Sequence, residues 1–280
     1  MTNKLLQYQI KDHWQELSKK QVRYIAKHWS KWQGILKALS QTPSPINENI
    51  LAEQLHYEKV RLMIVLSDLK GWSKRQERKL FFNYSDKDLV RDAQNINFIF
   101  DKIELTTNYY PRLILPFSIY HAPKSIYKLT GIEFAFAEKC FYDYMTNGHT
   151  DDLNMLIAIL YRKNAKKNHP SSLSYSGDIR EPFNQHSVDY RQNKMWMLSK
   201  TKKMCILLWY SGSRQVLIDR YKDTVFAPST SGKPLEYGLL SVFRELAGRD
   251  ITKQLKVEKT PISVILMNLH ESIKESRKKQ

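Results

Sequence analysis

The chain has 280 residues, and its 45 Lys and Arg against 28 Asp and Glu give a formal net charge of +17 at pH 7. Hydrophobic residues make up 42% of the chain, enough for a packed core, which excludes a protein disordered along its whole length. The 9 glycines are few for folds that use glycine at tight turns and phosphate loops. The excess positive charge favours an anionic partner or an acidic protein surface.

The N-terminal part of the chain is predicted to be helical. Ser18 and Gln21 have the spacing of a capping box, which predicts that a helix starts here. The apolar residues that follow have helical spacing and predict a buried stripe containing Trp29 and Trp32. Further helices are predicted over about 47–59 and from Ser85. The apolar run 62–66 fits either a buried helix turn or a short strand.

A stretch punctuated by prolines, 105–123, predicts an extended connector. Beyond it, Thr130 and Glu133 form a second capping box, and Asn147-Gly148 is typical of a helix end. Helical patterns continue to the C-terminus. We therefore predict a mainly α fold, a multi-helix bundle with at most short strands in the connector regions. The predicted parts are an N-terminal helical subdomain (1–104), the connector (105–123) and a C-terminal helical core (124–280).

Cysteine usage and apolar run lengths predict the compartment. Cys140 and Cys205 lie within apolar helical patterns and are expected to be small buried hydrophobic residues. The first ten residues lack the apolar region of a signal peptide. No apolar run approaches the roughly 20 residues that a bilayer span requires. A soluble cytoplasmic protein without a membrane span is expected.

Motifs that carry catalysis are absent from the sequence. The Gly232-Lys233 pair is followed by Pro234 where a phosphate loop needs a hydroxyl. His149, Asp151 and Asp152 could supply metal ligands, but they also fit a helix–helix turn with acids in the first turn. We assign no catalytic residue, metal ligand or cofactor and expect no enzymatic activity. That expectation would change if these three residues and Asp178 converged around a metal ion.

Basic clusters are the remaining signal for a partner. Lys and Arg side chains displace counterions from nucleic acid, and aromatic rings offer stacking surfaces. Nucleic-acid binding is therefore the alternative function. Its candidate residues are Lys19, Lys20, Arg23, Lys27, Lys74, Arg75, Arg78 and Lys79. Because the charges are spread along the chain, ordinary solvated helix faces are the other interpretation.

A loop between two strong helical patterns contains Arg180, Pro182 and Phe183. A loop Arg offers a planar donor fork and a loop Phe an apolar anchor, both of which are enriched in interface hot spots. With Arg162, these residues form the candidate set for binding a protein partner. The alternative is that Phe183 fills the core and that Arg180 pairs internally with an acid such as Asp178 or Glu181.

The order of several segments resembles that of a known group of proteins. These segments are Trp14-Gln15-Glu16-Leu17-Ser18 with Gln21, Ile132-Glu133-Phe134 with Ala137-Glu138, Tyr144, Asp152-Leu153-Asn154, the run from Leu156 to Arg162, the run from Arg180 to Asn184, and the run from Leu207 to Arg214. The chain resembles helical proteins encoded in prophage tail gene clusters near the tape-measure gene, with Lys163 in place of their Pro.

The resemblance implies a non-enzymatic role in phage tail assembly or as part of a tail-like particle. A protein partner such as a tape-measure or tail-tube protein is then expected. The location would be the cytoplasm of a bacterial host cell, or the virion itself. A homo-oligomer is compatible with this role.

Overall fold

A computed structural model of the chain describes residues 11–41, 45–66, 95–165, 177–227, 243, 246–248 and 250–278. The helix start predicted at Ser85 lies outside these residues. The described helices and strands are α1 (Lys19–Gln41), α2 (Pro45–Leu66), α3 (Phe98–Asp101), β1 (Arg112–Leu115), β2 (Ser118–His121), α4 (Gly131–Asn147), α5 (Thr150–Leu160), α6 (Val188–Met195), α7 (Lys200–Arg220), α8 (Ile251–Lys259) and α9 (Ile262–Lys278).

The predicted mainly α fold is confirmed. In the described parts of the chain, strands pair only in the antiparallel β1–β2 hairpin, which lies within the predicted connector. By their contacts the residues form two compact units, Met1–Tyr109 with Lys200–Gly212, and Tyr110–Ser199 with Ser213–Gln280. The predicted division at residues 104 and 123 stays a prediction. None of the helices that the structure describes is both long and apolar enough to cross a bilayer.

The first unit is built on the buried faces of α1 and α2. Trp29 and Trp32 are 7% and 0% exposed, as the helical spacing predicted. The ambiguous run 62–66 is the last part of α2. Leu62 and Leu66 within it are fully buried, so the helical alternative is the correct one.

The second unit contains α4, α5, α6, α8, α9 and the hairpin. The predicted capping box is present: Glu133 N donates to Thr130 Oγ1 at 3.4 Å, and Thr130 N donates to Glu133 Oε2 at 3.1 Å. Gly148 ends α4 with φ of 73°, the left-handed conformation that glycine adopts without steric cost. At the start of α4, the Gly131 N–H donates to the carbonyl of Thr260, which lies between α8 and α9, at 2.9 Å.

Candidate functional site

Four of the eight residues predicted to bind nucleic acid line one cleft in the first unit. The cleft has a volume of about 540 Å³. Its lining residues are Lys19, Lys20, Arg23, Tyr24 and Lys27 of α1, Val65 of α2 and Thr201 of α7. We call it the basic cleft. The other four predicted residues, Lys74, Arg75, Arg78 and Lys79, lie outside the described residues.

Helical spacing explains why these cations share one face. Residues three and four apart are neighbours on a helix surface, so Lys19, Arg23 and Lys27 form a row, with Lys20 beside it. All four side chains are exposed. The opposite face of α1 carries the buried residues, which include Val22 and Ile25. The amphipathic pattern that builds the core therefore also gathers the positive charges on one surface.

The electrostatics of α1 are unusual for a helix. Its 23 residues include no Asp or Glu. Lys19 and Lys20 occupy its first turn, where the helix dipole already presents partial positive charge. Cations at this end are unfavourable for helix stability. No residue of α1 carries a negative charge that would offset this positive potential. An anion bound in the basic cleft would offset it.

Gln21 fixes the cleft by joining two helix ends. Its Oε1 accepts from Ser18 N at 2.8 Å, which completes the predicted capping box at the start of α1. Its Nε2 donates to the carbonyls of Val65 and Leu66, at 3.1 and 3.3 Å, at the end of α2. Gln21 is 1% exposed, and its bond to the Leu66 carbonyl is buried. These bonds hold Val65 against the first turns of α1.

Apolar surface and an aromatic ring lie between the cations of the cleft. Val65 and Tyr24 are both half-buried. The Tyr24 ring stacks on His28, with centroids 4.5 Å apart and an angle of 29° between the rings. Burial is the main cause that lowers the pKa of His28; Glu58 opposes this, and the charges of Lys27 and Lys31 add to it. The positive charges of α1 therefore contribute to the lowered pKa of this imidazole.

In the second unit, the predicted partner-binding residues Arg162 and Arg180 belong to an internal ion cluster. They are 1% and 2% exposed, and Glu133 is 2% exposed. Arg180 Nη2 lies 2.6 Å from Asp178 Oδ2 and 3.7 Å from Glu133 Oε2. Arg162 pairs with Glu133 through Nη1, and its Nη2 lies 3.5 Å from Asp178 Oδ2. For Arg180, the internal pairing with Asp178 is thus the alternative that the structure shows.

Burial and the neighbouring charges shift the pKa values of two groups in this cluster. The cost of desolvation, together with the charge of Arg180, lowers the pKa of Arg162 to about 10. The pKa of the Asp178 carboxyl also lies below its usual value: burial would raise it, but hydrogen bonds from Arg180 and the charges of both arginines outweigh burial. Glu181 pairs with Arg191 at 3.4 Å rather than with Arg180. The cluster binds α4 and the segments around Arg162 and Arg180 together.

Pro182 and Phe183 lie at the surface next to this cluster. Pro182 is exposed and Phe183 is half-buried. The Phe183 ring packs against Phe136, with centroids 5.8 Å apart. The Arg162 guanidinium carbon lies 6.0 Å from the centroid of the Phe183 ring. Of the four candidate partner-binding residues, these two therefore offer surface to a partner.

The residues considered for metal or thiol chemistry are not gathered into a site. In the ranges that the structure describes, no three His, Cys, Asp or Glu side chains are placed to hold a metal ion. Cys140 and Cys205 are buried, as predicted. Burial raises the pKa of the Cys140 thiol to about 12, which disfavours the reactive thiolate.

Comparison with known proteins gives no further assignment. No protein-family model matches this chain, and no match is found among curated proteins or solved structures.

Proposed function

We propose that this protein is a non-enzymatic interaction protein that assists the assembly of a phage-tail-like particle, and that the basic cleft binds an acidic segment of its protein partner. One observation carries the site: four cations of an acid-free helix surround a cleft that also contains Val65 and Tyr24. The assembly role rests on the resemblance of the chain to proteins of prophage tail gene clusters. A tape-measure or tail-tube protein is the proposed partner.

The composition of the cleft supports a polypeptide ligand. Carboxylates of an acidic segment would pair with Lys19, Lys20, Arg23 and Lys27, whereas its apolar side chains would contact Val65 and the Tyr24 ring. Each exposed ion pair contributes little, so several pairs together with apolar contact are needed for useful affinity. A cleft with both kinds of surface meets that need.

Nucleic-acid binding is the second candidate function, and the same cleft favours it. Lysine and arginine displace counterions from phosphates, and tyrosine offers a face for a base to stack on. This candidate differs from the first in salt dependence. Affinity for duplex or single-stranded DNA would fall by orders of magnitude between about 50 and 200 mM salt if many phosphates were contacted.

The test compares Arg23→Glu with Lys37→Glu in the full chain. Both changes reverse one exposed charge on α1, but only Arg23 lines the basic cleft. Binding is measured by titration calorimetry against the purified tape-measure and tail-tube proteins of the phage-tail gene cluster that the proposal implies. It is measured in parallel against a thymidine oligonucleotide and a DNA duplex.

We expect Arg23→Glu to weaken binding to one of the two proteins at least about tenfold, a loss of ~1.4 kcal/mol, with Lys37→Glu close to wild type. Steeply salt-dependent DNA binding that Arg23→Glu abolishes, without binding to either protein, would support the second candidate instead. Equal affinities for the two variants would overturn the assignment of the cleft. Binding of neither protein would overturn the assembly role.

A further inference from the structure

The tip of the β1–β2 hairpin in the second unit is an apolar projection. Ile114 and Ile119 are directly paired across the two strands, and they are 76% and 51% exposed. Phe117, in the two-residue turn between the strands, is 106% exposed. Three large exposed apolar residues thus lie within positions 114–119 at the hairpin tip, whereas a soluble protein usually scatters such residues singly.

The other face of the hairpin holds it in place. Leu113 and Tyr120, a directly opposed pair, are both fully buried. The β2 edge is also fixed, because His121 N donates to the Arg162 carbonyl at 2.7 Å and Arg162 N donates to the His121 carbonyl at 3.1 Å. Arg162 itself is locked in the buried ion cluster. The tip is therefore presented by a rigid support and needs little ordering when it binds.

The backbone at the tip is strained in a way that local packing does not explain. Phe117 has φ of 58°, in the left-handed region that glycine and asparagine tolerate and that a bulky side chain disfavours. Pro116 precedes it with φ fixed near −65°, so the turn resembles type II, which normally has glycine at this position. A bulky residue here has an unfavourable backbone conformation, and because Phe117 is fully exposed, burial of its ring does not offset that cost. Strain that persists in this way is typical of functional positions.

Charge near the tip indicates the chemistry of the occupant. Arg112 lies on the same face as Ile114, two residues earlier in β1, and is exposed. In the described part of the chain, no carboxylate forms an ion pair with it. A planar guanidinium beside an apolar anchor suits a pocket with a carboxylate at its rim.

We propose that the hairpin docks Phe117, flanked by Ile114 and Ile119, into an apolar pocket of a protein partner whose rim carries a carboxylate for Arg112. This is a second interaction surface, and it does not depend on the assignment of the basic cleft. A second copy of the chain is the weaker occupant because two chains of net charge +17 repel each other.

A lipid bilayer is also the weaker occupant. The three side chains together have about as many carbon atoms as one myristoyl chain, which alone gives only marginal membrane binding. Insertion into a fluid bilayer also needs no fixed anchor geometry. A rigid projection with one strained aromatic residue fits a shaped pocket better.

Photo-crosslinking in the producing cells tests this proposal. p-Benzoylphenylalanine replaces Phe117 in one full-length variant and Tyr142 in the control. Tyr142 is an aromatic residue of the same unit and is 70% exposed. Adducts are identified by mass spectrometry. We expect position 117, and not position 142, to give an adduct with one other protein, at a peptide that combines apolar residues with Asp or Glu. Lipid adducts, adducts between two copies, identical adducts at both positions or no adduct would each overturn the proposal.

The purified partner then allows a binding test with an internal folding control. Phe117→Gly removes the anchor but places the residue best suited to positive φ in the turn. We expect its affinity for the crosslinked partner to fall at least about tenfold, while its Tm stays at or above that of the wild type. Arg112→Gln should weaken binding less, with more effect at low salt. Unchanged affinity in Phe117→Gly would contradict the proposal.

Discussion

The indole Nε1 of Trp32 donates to Glu58 Oε2 at 3.0 Å, and both side chains are buried in the first unit. Lys31 Nζ reaches the other carboxylate oxygen at 2.7 Å. Burial alone would raise the pKa of Glu58, but the hydrogen bonds from Lys31 and Trp32 outweigh it, so the pKa lies below the usual value. A charged carboxylate thus joins α2 to the tryptophan stripe of α1.

Replacing this carboxylate by an amide is expected to destabilise the protein. Glu58→Gln keeps an acceptor for Trp32 but loses the charge that Lys31 and His28 face. We expect the free energy of unfolding to fall by about 2 kcal/mol, the usual worth of a buried hydrogen bond to a charged group. Urea unfolding followed by tryptophan fluorescence measures it. Glu53→Gln, at an exposed position of the same helix, is the control, and an equal loss in both variants would refute the prediction.

Stability is expected to fall with acidification because two carboxyls have lowered pKa values in the folded state. The pKa values of Glu58 and Asp178 in the folded protein lie below their ordinary values of 4.5 and 3.8, which also apply to the unfolded chain. Their contribution is therefore complete above these unfolded values and is lost as the pH falls through the lower folded values. We expect a Tm that changes little from pH 7 to about 5 and then drops. The drop should be shallower in Glu58→Gln, and an identical acid limb in both proteins would argue against the role of Glu58.

A pair of glycine substitutions is expected to act in opposite directions. A Cβ at position 212 would overlap the backbone N and O of Leu105, which cannot move aside as a side chain can. Gly212→Ala should therefore cost about 2–3 kcal/mol, in the range of overpacked sites. A Cβ at Gly34, in the middle of α1, meets nothing within 4 Å. Gly34→Ala should add about 0.5–1 kcal/mol through helix propensity. Thermal and urea unfolding measure both, and a stable Gly212→Ala variant would contradict the close approach.

The buried ion cluster is expected to be far more sensitive than a partly exposed pair. Arg162→Met leaves Glu133 buried without this partner, which should cost about 3–5 kcal/mol. Arg214→Met removes one ion-pair partner of Glu138, at 2.7 Å, but these side chains are 28% and 18% exposed. That loss should be nearer 1 kcal/mol. Urea unfolding compares the two variants, and equal losses would show that the cluster is not effectively buried.

Thiol chemistry provides a check on the burial of both cysteines. Cys140 has a pKa of about 12, and Cys205 is 3% exposed. We expect iodoacetamide at pH 8 to react slowly with the native chain and to label both residues in urea. The unfolded chain is the internal control. Rapid labelling of the native chain would mean that one thiol is accessible.

Local sequence signals predicted local structure well. The capping boxes at Ser18 and Thr130 depend on residues three positions apart, and both are present. The same reasoning identified Trp29 and Trp32 as core residues because helical spacing alone separates the two faces of α1. Such features need no knowledge of distant parts of the chain.

Contacts between distant segments could not be predicted. Gln21 was expected to cap α1, but nothing in its neighbourhood indicates that its amide also reaches Val65. Val65 and Thr201 were therefore missing from the predicted basic surface, although the lack of acids in α1 could have singled out its cations. The prediction allowed short strands in the connector, and the β1–β2 hairpin lies there. Its turn was not located because Phe117 occupies a position where glycine would have indicated a bend.

Glu133 serves two structures at once, since it caps α4 and neutralises buried arginines. A change at this position would have to be matched at Thr130 and at Arg162 in the same lineage. Among natural variants of the chain, Thr130, Glu133 and Arg162 should therefore be substituted together or all retained.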